Sequence, residues 1–413
     1  MNQGLLKRLL LGLAAVGPGL FLIGYNIGTG SVTTMAKSGA EHGMALFWTV
    51  VLSCLFTYIL MVAYGQVTLV TGKTALSNFR ASFRFGKVLC FYIMGALILG
   101  ELLALMGIMG IVGDLLQEGS RLMLGGTGIH PFWLILACTI GLYLMLWYGR
   151  YQLFEKVLSV FVILLALCFI LVLILVKPSL TVIVKGLVPQ IHDVPGAFGL
   201  IAAMAGTTCS AMVFIMRSIV VSEKGWTIKD LGTEKRDAFV SAGMMLVLSG
   251  VIMAVSAGTL HVMGLKLTDT VEMVSLFEPI GGEFAAYVLI LGITGAGLST
   301  VFPIVLIAPW LISDYTGRPR DIRSPMYRIL GLGGILFAFG SQLLEQRPPA
   351  LMVFSQAFQA CILPAVVLPV FFLINSEAVM GKYRAGVKMN IGLLGVLIFG
   401  LVTTYLAIAE LSF

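Results

Sequence analysis

Residues 195–210, PGAFGLIAAMAGTTCS, repeat in outline residues 18–31, PGLFLIGYNIGTGS. Both stretches open with Pro-Gly-x-Phe and reach a cluster of Gly, Thr and Ser about ten residues later. Glycine inside a helix costs stability, and hydroxyl side chains compete with the helix for backbone groups. Each cluster is therefore predicted to interrupt a helix near its middle. A kink between tightly packed helices is the alternative interpretation.

The composition places these stretches in a membrane. Apolar residues make up 59% of the 413 residues and charged residues only 11%, against about 45–50% and roughly 25% in soluble domains. The 48 glycines fit helices that approach one another closely, whereas a β-barrel would be more polar and would alternate strictly. The sequence therefore predicts an all-α integral membrane protein and excludes a soluble enzyme.

Eleven apolar runs are long enough to cross the hydrocarbon core, which takes about 20 residues of helix. They lie near 9–40, 44–71, 88–116, 131–149, 153–176, 195–222, 238–263, 284–313, 329–344, 350–375 and 389–410. The two similar stretches fall in the first and sixth runs, and an odd number of runs between them makes such a repeat inverted. We expect one transmembrane domain over 1–413, with repeat one at about 9–176, repeat two at about 195–375 and an extra helix at about 389–410.

Basic residues predict the orientation of the chain. Most of the 26 Lys and Arg residues fall in segments that are cytoplasmic if the N-terminus is cytoplasmic, so the net charge of +7 is a topology signal. Eleven spans then leave the C-terminus outside. We expect a multi-pass protein of the plasma (inner) membrane. Its expected partners are the lipid bilayer and a small ion, with no nucleic acid, and the oligomeric state stays open.

Short motifs along the chain resemble the Nramp family of divalent-metal transporters. They are Gly17-Pro18-Gly19, Ala45-Leu46-Phe47-Trp48, Thr71-Gly72-Lys73, Phe154-Glu155-Lys156, Gly297-Leu298-Ser299-Thr300 and Ser355-Gln356. The resemblance implies a LeuT-type fold, with two inverted five-helix repeats plus one extra helix, that works by alternating access. It also implies that Gln356 belongs to the substrate-binding site and that Glu101 corresponds to a glutamate that takes part in proton movement in the family. The metal-binding Asp of the family is replaced by Gly28, so the usual metal-binding motif is lacking.

The two Gly-Thr clusters carry hydroxyls but no carboxylate. Hard divalent cations leave their hydration shell at high cost without an anionic ligand. Helix N-termini near Ser31 and Ser210 would instead present N–H groups and partial positive charge. We therefore expect a small anion such as bicarbonate as the substrate. The predicted substrate-binding residues are Gly28, Thr29, Gly30, Ser31, Gly206, Thr207, Thr208, Cys209, Ser210 and Gln356.

Two other functions are compatible with the same residues. The first is transport of a divalent metal ion, Mn, Fe or hydrated Mg, as in the Nramp family, with the ion held through water, Gln356 and carbonyl groups. The second is a regulatory receptor that binds a solute without moving it.

Glu101 in the third run and Ser299 and Thr300 in the eighth are candidates for a coupling-ion site, which would make the protein a symporter driven by sodium or protons. Arg217 lies seven residues past Ser210, and its guanidinium is expected to extend to the membrane surface.

The six cysteines are scattered without a His or Cys at ligand spacing, so neither a resident metal nor a cofactor is predicted. No catalytic motif occurs, and an enzyme is not expected.

Overall fold

The computed structural model describes residues 29–148, 151–189, 196–280, 282–343 and 347–410. Within these ranges the chain is almost entirely helical. The helices, in chain order, are α1 (Thr29–His42), α2 (Phe47–Thr71), α3 (Ala75–Ser82), α4 (Gly86–Leu124), α5 (Pro131–Tyr148), α6 (Tyr151–Val176), α7 (Leu180–Lys185), α8 (Ala197–Thr208), α9 (Ala211–Glu223), α10 (Leu231–Gly258), α11 (Gly282–Thr316), α12 (Pro325–Leu336), α13 (Gly340–Leu343), α14 (Pro348–Asn375), α15 (Glu377–Met380) and α16 (Val387–Glu410). Short 3₁₀ segments lie at Ile228–Asp230, Thr270–Ile280, Phe337–Phe339 and Gly381–Tyr383.

The described ranges contain nine helical spans that are long and apolar enough to cross a membrane, with α8 and α9 counted as one. Helix α6 adds an apolar stretch at Ile163–Val176, and most of the predicted first span lies before Thr29, outside the described residues. The all-helical membrane architecture is confirmed. The count of eleven spans and the repeat boundaries stay predictions.

The peripheral helices present apolar side chains on their outer faces. Trp147 on α5, Ile163 on α6 and Leu401 on α16 are all exposed. A continuous apolar surface of this kind would be unfavourable in water, and it matches the hydrocarbon of a bilayer.

Local sequence sets several helix ends. Gly72 follows α2 with a φ of 65°, in the left-handed region that glycine adopts most easily. Thr74 then caps α3 by accepting a hydrogen bond from the backbone N–H of Ser77. At α12 the cap is Ser324, followed by Pro325 in the first turn, where its missing N–H has no cost.

Two predicted spans have different limits in the structure. The third was expected at 88–116, but α4 runs to Leu124, and Glu118 and Arg121 pair with each other three residues apart within the added turns. The ninth, expected at 329–344, is divided into α12, a 3₁₀ turn and α13.

Helix α14 lies in the interior and packs against α8, α4 and α16. Its contact with α8 depends on Gly206, because a Cβ there would lie 1.8 Å from the carbonyl oxygen of Gln356. Its contact with α4 depends on Gly100 and Gly107, where an added Cβ would lie 3.3 Å or less from atoms of Phe358 and Met352. These glycines let three helices meet at one point, and the polar cavity described below lies there.

Candidate functional site

The helical path of the predicted sixth span is interrupted between α8 and α9. Cys209 (φ −104°, ψ 49°) and Ser210 (φ −68°, ψ 129°) are not helical. The Thr57 hydroxyl on α2 donates to the carbonyl oxygen of Thr208 over 2.9 Å, which satisfies one acceptor that the break leaves without a helical partner. The Gly-Thr-Thr-Cys-Ser cluster therefore breaks the helix, as its composition predicts.

The first cluster meets the second through side chains. The hydroxyl oxygens of Ser31 on α1 and Thr207 on α8 lie 2.9 Å apart, although the two residues are 176 positions apart in the chain. Gly30 faces α14, because a Cβ added there would lie 2.9 Å from the amide nitrogen of Gln356. In the structure Gly30 and Ser31 belong to helix α1, and Gly28 lies outside the described residues.

A small cavity of about 30 Å³ with a largely polar lining lies beside the break. Its lining combines residues of α1, α4, α8, α11 and α14 with Ser210 at the break. They are Gly30, Ser31, Glu101, Ala104, Ile108, Thr207, Ser210, Thr300, Ile304, Gln356 and Gln359. The structure thus brings together five of the predicted substrate residues and two of the predicted coupling residues. Their roles in binding stay predictions.

Other predicted site residues lie outside this lining. Cys209 is fully buried away from the cavity, and Thr208 turns its carbonyl toward α2. Gly206 packs against the α14 backbone, which is a close helix contact rather than a ligand position. Ser299 donates its hydroxyl to the carbonyl of Ala296 on its own helix. Only the backbone of Thr29 is described.

Gln359 is a lining residue that the sequence analysis missed. It is one helical turn beyond Gln356 on α14 and is 4% exposed. The Ser210 hydroxyl donates to its Oε1 over 2.6 Å, and its Nε2 donates to Oε1 of Glu101 over 3.2 Å. A second glutamine in an apolar span, three residues after the first, was the available signal, because polar groups in membrane helices usually face the interior.

The electrostatics of the cavity differ from the predicted positive site. Glu101, 3% exposed, is the one acidic group among the described lining residues. The break also places the C-terminal, carbonyl end of α8 near the N-terminal, amide end of α9, so the negative partial charge of one helix end offsets the positive partial charge of the other. No group of three or more His, Cys, Asp or Glu side chains suited to a metal occurs in the described part of the chain. The lining therefore offers mainly hydroxyl and amide oxygens with one carboxylate.

Arg217 does not extend to the membrane surface, so that expectation is wrong. Its side chain is fully buried on α9, donates to both carboxylate oxygens of Glu234 at 3.0 and 2.8 Å, and pairs with Asp237. Both acids lie on α10 at a spacing of three residues, so they share one helix face. The triad packs directly against Gly65 on α2, where an added Cβ would clash with the carboxylate of Glu234.

A polytopic helical protein with a broken helix beside an interior polar cavity has the architecture of a membrane transporter. The chain matches the family model for natural resistance-associated macrophage protein-like (Nramp) proteins over residues 19–410, and it belongs to that family. Nramp proteins are transporters and not enzymes.

Known proteins resemble the chain along most of its length. The divalent metal cation transporter MntH of Ralstonia nicotianae is 25% identical over 398 residues, which cover 90% of this chain and 85% of the relative. The manganese transporter of Eremococcus coleocola has a TM-score of 0.72 at 17% identity, covering 97% of this chain and 86% of that one. MhsT in complex with L-phenylalanine has a TM-score of 0.62 at 13% identity and covers 96% and 98%. The expected LeuT-type fold is confirmed.

The expectation of a small anion such as bicarbonate is wrong, because MntH is named as a divalent metal cation transporter and the Eremococcus coleocola protein as a manganese transporter. The physical error lies in counting only helix N-termini. The Glu101 carboxylate lines the cavity and favours a cation, and the carbonyl end of α8 offsets part of the positive partial charge at the start of α9.

Proposed function

We propose that the protein transports a divalent metal cation across the membrane by alternating access. The observation that carries the proposal is the Glu101 carboxylate on an oxygen-lined cavity beside the broken helix. Family membership and the names of the relatives support the same substrate class.

The donor set favours hard cations such as Mn²⁺ and Mg²⁺. Gln356 and Glu101 supply an amide and a carboxylate group, and hydroxyls of the lining supply more oxygens. Such ligands suit hard ions, whereas soft ions prefer sulfur. Cys209 lies outside the lining, so no cysteine thiolate of the break is directed at the cavity.

The lining offers oxygens that can replace water around a cation. The hydroxyls of Ser31, Thr207 and Ser210 and the carboxylate of Glu101 all face the cavity. We infer that the cation exchanges part of its hydration shell for these protein oxygens, and that Glu101 compensates part of that cost.

The same proposal includes the topology and the energy source. The distribution of Lys and Arg supports a cytoplasmic N-terminus and a C-terminus on the outside, in the plasma (inner) membrane. Coupling to sodium or protons, with Glu101 and Thr300 as the cavity-lining candidates, is part of the proposal.

Tracer uptake of Mn²⁺ into proteoliposomes containing the purified full chain tests this function. We expect saturable uptake, with Mg²⁺ as a competitor. In Glu101→Gln the ratio kcat/KM for Mn²⁺ should fall roughly tenfold or more, because ligand charge sets cation affinity.

Glu118→Gln is the matched control, since it is the same change on the same helix about 25 Å away along the axis and its partner is Arg121. Absent Mn²⁺ uptake by the unmodified protein, or equal uptake by Glu101→Gln, would refute the proposal. Mn²⁺ binding without any uptake would indicate the receptor function instead.

A further inference from the structure

Gln359 connects two parts of the site through its side chain. Through Oε1 it accepts from Ser210, the residue at the break before α9. Through Nε2 it donates to the carboxylate of Glu101 on α4. Both bonds are buried, and they cross 149 and 258 positions of sequence.

The chemistry of the amide fixes its orientation. A glutamine side chain has one acceptor end and one donor end, whereas an ionised carboxylate only accepts. When Glu101 is ionised, a reversed amide would place its oxygen against the Glu101 oxygen, with no proton between the two acceptors. The Ser210 hydroxyl can rotate to suit either partner, so Glu101 determines which way the amide points.

Packing restrains the same side chain. A Cβ added to Gly100 would lie 3.3 Å from Cγ of Gln359, so the aliphatic part of Gln359 lies over a glycine directly before Glu101. The side chain is therefore held both by the surface of α4 and by hydrogen bonds at its two polar atoms.

We propose that Gln359 is a positioning residue, which holds the Glu101 carboxylate toward the cavity and links it to the helix break. The inference rests on the proposed function, because its consequence is cation affinity. A cation that draws on Glu101 also acts on Gln359 and Ser210, so occupancy of the cavity is transmitted to the start of α9. Gln359 acts through Glu101 and need not contact the cation.

A double-mutant cycle tests the proposal. Gln359→Met keeps nearly the same volume and removes both hydrogen bonds. It should lower kcat/KM for Mn²⁺ uptake by about tenfold or more, the usual effect of losing a hydrogen bond to a charged group, and it should act mainly through KM. In the Glu101→Gln background the same change should have almost no further effect, since the carboxylate to be positioned is gone.

Equal effects of Gln359→Met in both backgrounds would overturn the inference, and so would an unchanged KM in the single variant. If uptake by Glu101→Gln is too slow to measure, Glu101→Asp serves in the cycle, because it keeps the charge and is too short for the 3.2 Å bond. If Gln359→Met does not fold, Ser210→Ala replaces it and should show the same dependence on Glu101.

Ser355→Ala is the control on α14, since the Ser355 hydroxyl donates to the carbonyl of Met352 on its own helix and lies outside the cavity lining. It should leave KM unchanged. The two proposals fail in different ways. Absent Mn²⁺ uptake by the unmodified protein refutes the function, whereas normal uptake with additive effects refutes only the role of Gln359.

Discussion

Gly206→Ala is expected to separate α8 from α14 and to disable the cavity between them. The new Cβ would lie 1.8 Å from the Gln356 carbonyl oxygen and 2.9 Å from the backbone nitrogen of Ala360. These are backbone atoms of a helix, so no side-chain rotation can relieve the clash. The helices would have to move apart by about 1.2 Å merely to reach 3.0 Å.

The size of the effect follows from that displacement. Overpacking of this kind costs about 1–3 kcal/mol, and the better helix propensity of alanine offsets up to about 1 kcal/mol of it. A shift near 1 Å also misplaces Gln356 and Gln359 relative to α8, and misplacement on that scale can reduce the activity of a preorganised site about 100-fold. Transport should therefore suffer more than stability.

Thermal unfolding of the detergent-solubilised protein and tracer uptake of Mn²⁺ measure the two effects separately. Gly243→Ala is the control, because a Cβ at this α10 position would have no described neighbour within 4 Å outside its own helix. Its unfolding temperature and uptake should equal or slightly exceed those of the unmodified protein. Wild-type uptake by Gly206→Ala would show that the close approach of α8 and α14 is not needed for the site.

Two further substitutions test the charges of the interior. Ser31→Asp adds a second carboxylate to a lining in which Glu101 is the one described acid, so KM for Mn²⁺ uptake should fall several-fold. Ser31→Asn, a neutral residue of equal size, should not lower it, and equal values for both variants would contradict the cation site. Arg217→Met leaves the carboxylates of Glu234 and Asp237 buried without their cation, which should destabilise the solubilised protein by about 3–5 kcal/mol. Arg384→Met, which breaks an exposed pair with Glu377, should change the unfolding temperature little, and a similar loss in both arginine variants would refute the importance of burial.

Hydropathy and local composition predicted the parts of this structure that depend on neighbouring residues. Membrane spans follow from the length of apolar runs, and the break at Cys209 and Ser210 follows from the Gly-Thr cluster before it. The contact between Ser31 and Thr207 could also be predicted, because the repeated sequence pattern indicated that both clusters belong to one site.

Contacts between side chains on different helices could not be predicted from hydropathy and local composition. Arg217 finds its partners 17 and 20 residues later on the next helix, and nothing in its own span shows that they point back toward it. Adjacent residues on a helix also point about 100° apart. Thr207 therefore lines the cavity, while Thr208 does not, although the sequence gives both the same polar character.

The substrate prediction was wrong because the electrostatic potential of a folded site depends on the charges of all the helices that surround it. The two clusters contain no acid, and that fact alone favoured an anion. Glu101 stands on a third element, and only the packing of α4 against α14 brings its carboxylate to the break.

The long sequence separation between Glu101 and Gln359 has a consequence for biosynthesis. While the chain is being made, α4 enters the bilayer long before the ribosome has translated residue 359, which follows 258 positions later. During that interval the Glu101 carboxylate lies in the membrane without the Gln359 amide that later donates to it. This side of the cavity therefore takes its final form only after most of the chain has been synthesised.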